Sequence, residues 1–468
     1  MDLQKELFSK KGVVASSFKT SEDVAAFLDH NWQGTYTKDT LDRMKALDKE
    51  LGNPSQACKV VFVSGTNSKS LTIHFTQRLF NEEKITCGIY LTPHFISYKE
   101  RFLIGEQEAN ERSFMDAAQS VADAALRLGI KPSSSEILCM MALVLFKKHN
   151  AELALIELDQ HSMFHPFAIC TPAIITITRI TQSATVETDA ALLEQMDALM
   201  SFATPQTFII TGDQIKQHTN HLQKRTKEKG ANWVMPIRKL AMLPYPYEQI
   251  HGRAAALAER ISQTFIKNFI EPVVVAQQNS LLIKTKRCKG RPTLEAKKYL
   301  ELNPTRTIDA YWRETIAQLP ARFQLIKNKS PRVLLDNASN LDAIENVLFG
   351  IRLLHYKSPF KGVAIILATT QDNLENETFV KALRYFFKKT NGSIALCPIE
   401  KFTPGTFEVN TWNPEKVCND MKIAKIKARC FDSFDAAFEY SSKVVDQQEG
   451  LVAVIGSSSI VSQYLKQA

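Results

Sequence analysis

The sequence predicts an α/β protein of two units, each a parallel sheet covered by helices. Three observations carry the prediction. Short β-branched runs alternate with amphipathic helical patterns along the chain, and the same grammar repeats in its carboxyl-terminal third. One early strand runs directly into a glycine-led loop and then a helix, the arrangement that cradles phosphates. Finally, 468 residues, 44% of them hydrophobic and 23% charged, suffice for two or three well-filled cores. That composition excludes a disordered, collagenous or disulfide-stapled chain.

In order, strands are expected at Lys59–Ser64, Ala154–Glu157, Ala173–Ile177, Thr207–Thr211 and Pro272–Val275. Helices are expected over Ser70–Asn81, Glu111–Leu128 and Glu136–His149. The second unit reads as strands Val333–Leu335, Gly362–Leu367, Ser393–Leu396 and Leu451–Ile455, with helices over Asn376–Lys389 and Ser433–Asp446. A basic stretch sets the boundary: Lys284 to Arg306 holds eight Lys and Arg against Glu295 and Glu301, so six of the nine net positive charges sit there. The units are therefore expected to join near residues 285–315.

Without interleaved aromatic residues, the basic stretch reads as a solvated linker beside an anionic small-molecule site, and nucleic acid is not an expected partner. The longest apolar run, Ile137–Phe146, is too short to span a bilayer, so no membrane partner is expected. The first residues lack the apolar core of a secretory signal, and none of the eight cysteines has CxxC spacing. A cytoplasmic location with reduced, structural cysteines is expected.

The loop after the first strand reads Gly65-Thr66-Asn67-Ser68-Lys69-Ser70. Its backbone N–H groups and the following helix amino terminus would face an anion, Lys69 would neutralise it, and the Ser70 hydroxyl would reach Mg²⁺. Ser68 stands where the strict Walker spacing has Gly, so a side chain is expected at a bend that calls for positive φ. A plain strand-to-helix turn with a surface lysine is the alternative.

These residues resemble the folylpolyglutamate synthase and dihydrofolate synthase family of the Mur ligase superfamily, whose loop reads Gly-Thr-Asn-Gly-Lys-Gly-Ser. The lead-in Leu41–Leu47 with Leu51-Gly52-Asn53-Pro54 is similar, as are Thr92-Pro93-His94-Phe95 with Glu100-Arg101, and the helix at Glu136. Glu157 falls where the family places a metal-binding glutamate. Further on, Leu319–Gln324 resembles Trp-Pro-Gly-Arg-Leu-Glu, Asp336–Asn340 resembles Asp-Gly-Ala-His-Asn, Gln371-Asp372 resembles a Lys-Asp-Lys-Asp loop, and Ile455-Gly456-Ser457 matches the last strand. The order is kept over almost the whole chain.

The resemblance implies a phosphate-loop parallel-sheet ATPase domain over residues 1–300 and a smaller Rossmann-like domain over 301–468. It implies an ATP-dependent amide ligase that joins L-glutamate to a folate- or pterin-like carboxylate through an acyl phosphate, with ATP and Mg²⁺ as cofactors and a monomer as the working form. Lys69 and the loop from Gly65 to Ser70 would bind phosphates, while Ser70, Thr92 and Glu157 would serve Mg²⁺. Arg322 would reach across the cleft, and Asp336 would sit near nucleotide and amine. Departures concentrate elsewhere. Residues 159–168 replace a glycine-rich run, Ser183 and Ala184 replace an Asp-His pair, and Met196 and Asp197 fall where the family has an active-site lysine. Arg253–Ala256 replaces a Gln/Asn pattern, and Ser339 a histidine. Asp159, His161, His165 and Asp197 are capable substitute ligands. The alternative function is a catalytically impaired descendant that acts as a nucleotide-binding or scaffold protein.

Overall fold

Val60, Val61, Phe62 and Val63 are fully buried because β1 (Lys59–Ser64) is central in its sheet and covered on both faces, which is why its apolar run does not alternate. The computed structural model describes residues 17–31, 36–159, 162–181, 188–212, 214–236, 240–241, 243–270, 308–316, 319–369, 377–399 and 412–467. Around β1 the first sheet adds β2 (Cys87–Tyr90), β3 (Phe102–Ile104), β4 (Gln107–Glu108), β5 (Leu153–Glu157), β6 (Pro172–Ile177), β7 (Phe208–Thr211) and β8 (Asn232–Trp233). Their order is β4-β3-β2-β5-β1-β6-β7-β8. From β2 to β8 the neighbours run parallel, and β3 and β4 add an antiparallel edge. The second sheet comprises β9 (Gln324–Ile326), β10 (Arg332–Asp336), β11 (Val363–Ala368), β12 (Gly392–Leu396), β13 (Ala428–Cys430) and β14 (Leu451–Gly456), in the order β13-β12-β11-β14-β10-β9. It too is parallel except for its β9 edge.

The expected strands therefore form, apart from Pro272–Val275, which lies outside the described residues, as do the 300/301 division and the basic stretch. The strands that sequence reading passed over are mostly two or three residues long and lie at or next to sheet edges, where neither burial nor alternation extends far enough to register. The apolar run Ile137–Phe146 becomes a core helix (Ser134–Lys148) that packs in the first unit. Glu136, in its first turn, is buried and takes a two-pronged bond from Arg43, at 2.6 and 2.8 Å, so this family-like residue anchors helix to helix. No described helix is long and apolar enough to cross a membrane.

Two features bring the units together. Trp312, on the helix Ile308–Ile316, is buried against Phe75 with ring centroids 4.7 Å apart, within a cluster formed by the helices Lys69–Glu82 and Tyr247–Phe269. Phe95, from the loop after β2, is buried in the core of the second sheet beside Ala321 and Leu335. The carboxyl ends of β1, β2, β5, β10 and β14 consequently open onto one cleft of about 1110 Å³. In such sheets ligands bind at the carboxyl ends of the strands, where strand order reverses, as it does at β1 between β5 and β6.

Candidate active site

The phosphate loop takes its shape from contacts that only a glycine permits at its start. Gly65 has φ of 131°, and a Cβ there would lie 2.2 Å from Thr178 Oγ1. The Thr66 N–H donates to the Arg179 carbonyl at 2.7 Å, and Thr178 Oγ1 donates to the Asn67 carbonyl at 2.6 Å. Ser68 adopts the left-handed conformation, φ 67°, that the bend demands, so a side chain is accommodated where glycine was expected. The helix Lys69–Glu82 starts immediately after it. Lys69 Nζ folds back to the Gly65 carbonyl at 3.0 Å, which curls the ammonium over the loop.

The residues expected to bind phosphates, Mg²⁺ and nucleotide all line this one cleft: Gly65 to Ser70, Thr92, Glu157, Arg322 and Asp336. Arg322 crosses from the second unit to donate to Ser70 Oγ at 2.5 Å, and its guanidinium lies 5.7 Å from the Phe95 ring centroid. Glu157 ends β5 and is 3% exposed. Burial raises its carboxyl above the usual carboxylate range, against the opposing pull of Lys69 and Arg322. Asp336 ends β10; burial pushes it up to about 6, while Arg322 and the N–H groups of Phe323 and Ala338 pull the other way. Burial also lowers the Arg322 pKa, opposed by Glu157 and Asp336.

Ser70, Thr92 and Glu157 offer hard oxygen donors of the kind Mg²⁺ takes. Glu157 is a buried carboxylate with no ion pair among the described residues, and its nearest polar partner is the Thr92 N–H at 3.5 Å. A divalent cation fits that need. Among the described residues no group of three or more His, Cys, Asp or Glu is placed to hold a metal ion, so a cation here would rely on hydroxyls beside Glu157. Asp197 lies outside the cleft lining and is held by Arg225 at 2.6 and 2.7 Å and by His221 at 2.7 Å. Met196 is buried core. His165 is 1% exposed behind Asp159: it bonds the carboxylate at 2.8 Å through Nε2 and accepts the Phe167 N–H through Nδ1. Asp159 does line the cleft; burial would raise its pKa, but His165 and Tyr36 hold it below the usual range. His161, Ser183, Ala184, Gln371 and Asp372 lie outside the described residues.

Sequence reading placed Asn67 in the site but missed Asn340, Asp342, Arg179 and His251 as participants. Asn67 and Asn340 exchange side-chain amide bonds at 2.8 and 3.2 Å across the cleft, and Asn67 also donates to Asp342 at 2.8 Å. Arg179 pairs with Asp342 at 3.3 Å. His251, buried in the helix Tyr247–Phe269, lines the same wall. Their partners lie in the other unit, so no local spacing marks them.

The chain is 21% identical to folylpolyglutamate synthase of Lacticaseibacillus casei over 339 residues, 70% of this chain and 75% of that protein. It is also 21% identical to a probable folylpolyglutamate synthase of Saccharomyces cerevisiae over 370 residues, 77% and 83% of the two chains. No family profile matches it. Among solved structures it superposes on Mycobacterium tuberculosis folylpolyglutamate synthase complexed with ADP, with a TM-score of 0.72 at 15% identity over 96% of this chain and 98% of the other. A bifunctional folylpolyglutamate synthase/dihydrofolate synthase from Yersinia pestis, complexed with AMPPNP and Mn, gives 0.69 at 17% identity, with 98% and 99% covered. With the motifs in the same order and the two sheets arranged alike, the chain is similar to folylpolyglutamate synthases and dihydrofolate synthases and shares the two-sheet fold of those solved structures.

Proposed function

We propose that this protein is an ATP-dependent amide ligase that adds L-glutamate to a folate- or pterin-like carboxylate. The observation that carries the reading is the bond from Arg322 to Ser70: an arginine of the second unit already reaches the phosphate loop of the first, so one cleft offers cations from both sides to a polyphosphate. The acceptor carboxylate attacks the γ-phosphorus of ATP, releasing ADP and forming an acyl phosphate. The neutral glutamate amine then attacks the acyl carbon, the bond to phosphate breaks, and the amine's proton passes to the departing phosphate as the amide forms.

The chain's own groups would divide this work by position. Lys69 and the loop N–H groups hold the β- and γ-phosphates, and Arg322 holds transferring charge from the opposite wall. Ser70, Thr92 and Glu157 would hold Mg²⁺, which when bound spreads charge over the phosphates. Asp336 sits where nucleotide and incoming amine meet and attracts the ammonium. Arg322 and Asp336 are built on the second unit, and closure of the units assembles them around the nucleotide. The units are assigned to residues 1–300 and 301–468, and the seven described cysteines, all free, suit a reducing cytoplasm. No comparison specifically favours the alternative of a non-catalytic descendant.

The test is titration calorimetry of Mg·ATP with wild type and Lys69→Ala, followed by a phosphate-release assay with glutamate and folate or pterin acceptors. Binding lost in the variant, with glutamate-dependent phosphate release in wild type, supports the ligase. A folded wild type that binds no Mg·ATP refutes it.

A further inference from the structure

Arg322 brings its charge into the cleft without a close acidic partner. Nη2 donates to Ser70 Oγ at 2.5 Å and Nη1 to the Ala321 carbonyl at 3.1 Å, and the side chain makes no ion pair among the described residues. A further contact is aromatic: the guanidinium stands over the Phe95 ring, 5.7 Å from its centroid. A cation within about 6 Å of a ring centroid is attracted by the negative face of the ring, more strongly where water is excluded.

Phe95 is held for this contact from both sides. Behind it, the Glu100 carboxylate gathers three successive N–H groups of the loop after β2. Phe95 donates to Oε2, and Ile96 and Ser97 to Oε1, each at 2.7 Å. Short bonds to a carboxylate are the strong kind, so the backbone that carries the ring is fixed. In front, the ring leaves the first unit and is 8% exposed in a core of the second, with Ala321, Val333 and Leu335. Ala321 is the residue that precedes Arg322. Thr92, on the same loop, lines the cleft, whereas Phe95 does not.

These anchors have a chemical consequence. A carboxylate beside Arg322 would also orient it, but would compete with a phosphate for its N–H groups. A ring face and a hydroxyl orient the guanidinium and leave its positive charge for an anionic ligand. We propose that Phe95 is the positioning residue of Arg322: a peg from the first unit that seats in the second and offers its ring face to the guanidinium, aiming it at the phosphate loop. The use of that aim in phosphate binding rests on the ligase reading, while the contact itself is independent of it.

A double-mutant cycle on urea unfolding of the full-length protein without ligand tests the contact. Phe95→Leu and Phe95→Met keep an apolar peg and remove the ring face, Phe95→Tyr keeps the face, and Arg322→Met keeps the stem and removes the charge. Phe95→Leu and Arg322→Met are expected to be coupled about fivefold in the unfolding constant, and Phe95→Tyr and Arg322→Met less than about twofold. Coupling below about twofold with both Leu and Met overturns the proposal. Wild type alone supplies a second reading. The Arg322 Nε–H resonance, assigned by its loss in Arg322→Met, should lie upfield of those of exposed arginines, and an unshifted resonance overturns the proposal. The third is Mg·ATP affinity by calorimetry. Phe95→Leu should weaken it about fivefold, Phe95→Tyr should stay within about twofold of wild type, and Phe95→Leu should add nothing in an Arg322→Met background. Equal losses in both backgrounds overturn the positioning role. If wild type binds no Mg·ATP, the ligase reading falls, while the unfolding cycle still decides the contact.

Discussion

Asp336 makes the nucleotide-free protein less stable than it would be with a neutral side chain, and the size of that penalty can be worked from its surroundings. Burial raises its carboxyl from 3.8 to about 6 despite Arg322 and two backbone N–H donors. A group with a raised folded pKa stabilises the fold fully below its unfolded pKa and loses that contribution as pH rises through the folded value. At pH 8 the ionised carboxylate therefore costs about 3 kcal/mol relative to its protonated form, at about 1.4 kcal/mol per unit. Asp336→Asn removes the charge and keeps an oxygen to accept the Phe323 N–H, so part of the penalty is offset by a weaker bond. Urea unfolding should show the variant about 1–3 kcal/mol more stable than wild type at pH 8, with the difference closing by pH 4. Under the proposed function, ligase activity should fall by a factor of about 100 or more in the same variant, since the group proposed to face nucleotide and amine would lose its charge. A variant less stable at pH 8, or a difference that does not change between pH 4 and 8, would refute the reasoning.

Other expectations follow from single contacts. Lys69→Ala should weaken Mg·ATP binding at least about tenfold by calorimetry yet leave unfolding within about 1 kcal/mol of wild type, because among the described residues Lys69 bonds only the Gly65 carbonyl. Gly65→Ala should lower stability by about 2–4 kcal/mol in the same unfolding assay, since its Cβ would sit 2.2 Å from Thr178 Oγ1 at a φ that side chains avoid. Asn67→Ala and Asn340→Ala, combined in a double-mutant cycle on kcat/KM for ATP, should show a coupling of about 1–2 kcal/mol, and strict additivity would mean that the amide pair does not hold the closed cleft. Glu157→Gln should shift the Mg²⁺ concentration needed for ATP binding upward at least about tenfold, read from calorimetry across a Mg²⁺ series.

What was legible in the sequence is what local pattern encodes. Gly65 to Ser70 follows a buried strand directly, and Glu157 ends another, so spacing alone locates both at strand ends. Arg322 and Asp336 were found through the order of motifs along the chain, because nothing in Leu319–Gln324 or Asp336–Asn340 announces a cleft. Asn67 with Asn340 is different. The two are 273 residues apart, and each amide finds a partner only once two sheets have formed and docked. His251 is hidden for the same reason: on a helix face among Tyr247, Phe75 and Phe323 it looks like an ordinary core histidine, and its ring meets Phe323 once the units have docked. The short strands β3, β4, β8, β9 and β13 escaped notice because two or three residues cannot establish a period.

The substitutions that separate this chain from its relatives gain a physical meaning when the charges of the cleft are considered together. Lys69 and Arg322 face Glu157 and Asp336, yet none of the four is satisfied by a close ion pair with another among the described residues. Burial pushes both carboxyls up and lowers the Arg322 pKa. Such a site is expensive when empty and is relieved by a ligand that brings anionic oxygens to the cations and a divalent cation to the carboxylates. Mg·ATP does both at once. The residues altered away from that arrangement have been absorbed into structure: Met196 into the core, Asp197 into its bonds with Arg225 and His221, and His165 into a clamp on Asp159. The cleft thus keeps the charges that a metal and a nucleotide would relieve under the proposed function, while Met196, Asp197 and His165 serve the fold. Two buried carboxylates and two cations gathered in one cleft are what the proposed ligase reading asks of this site, and a scaffold would have little reason to keep them together.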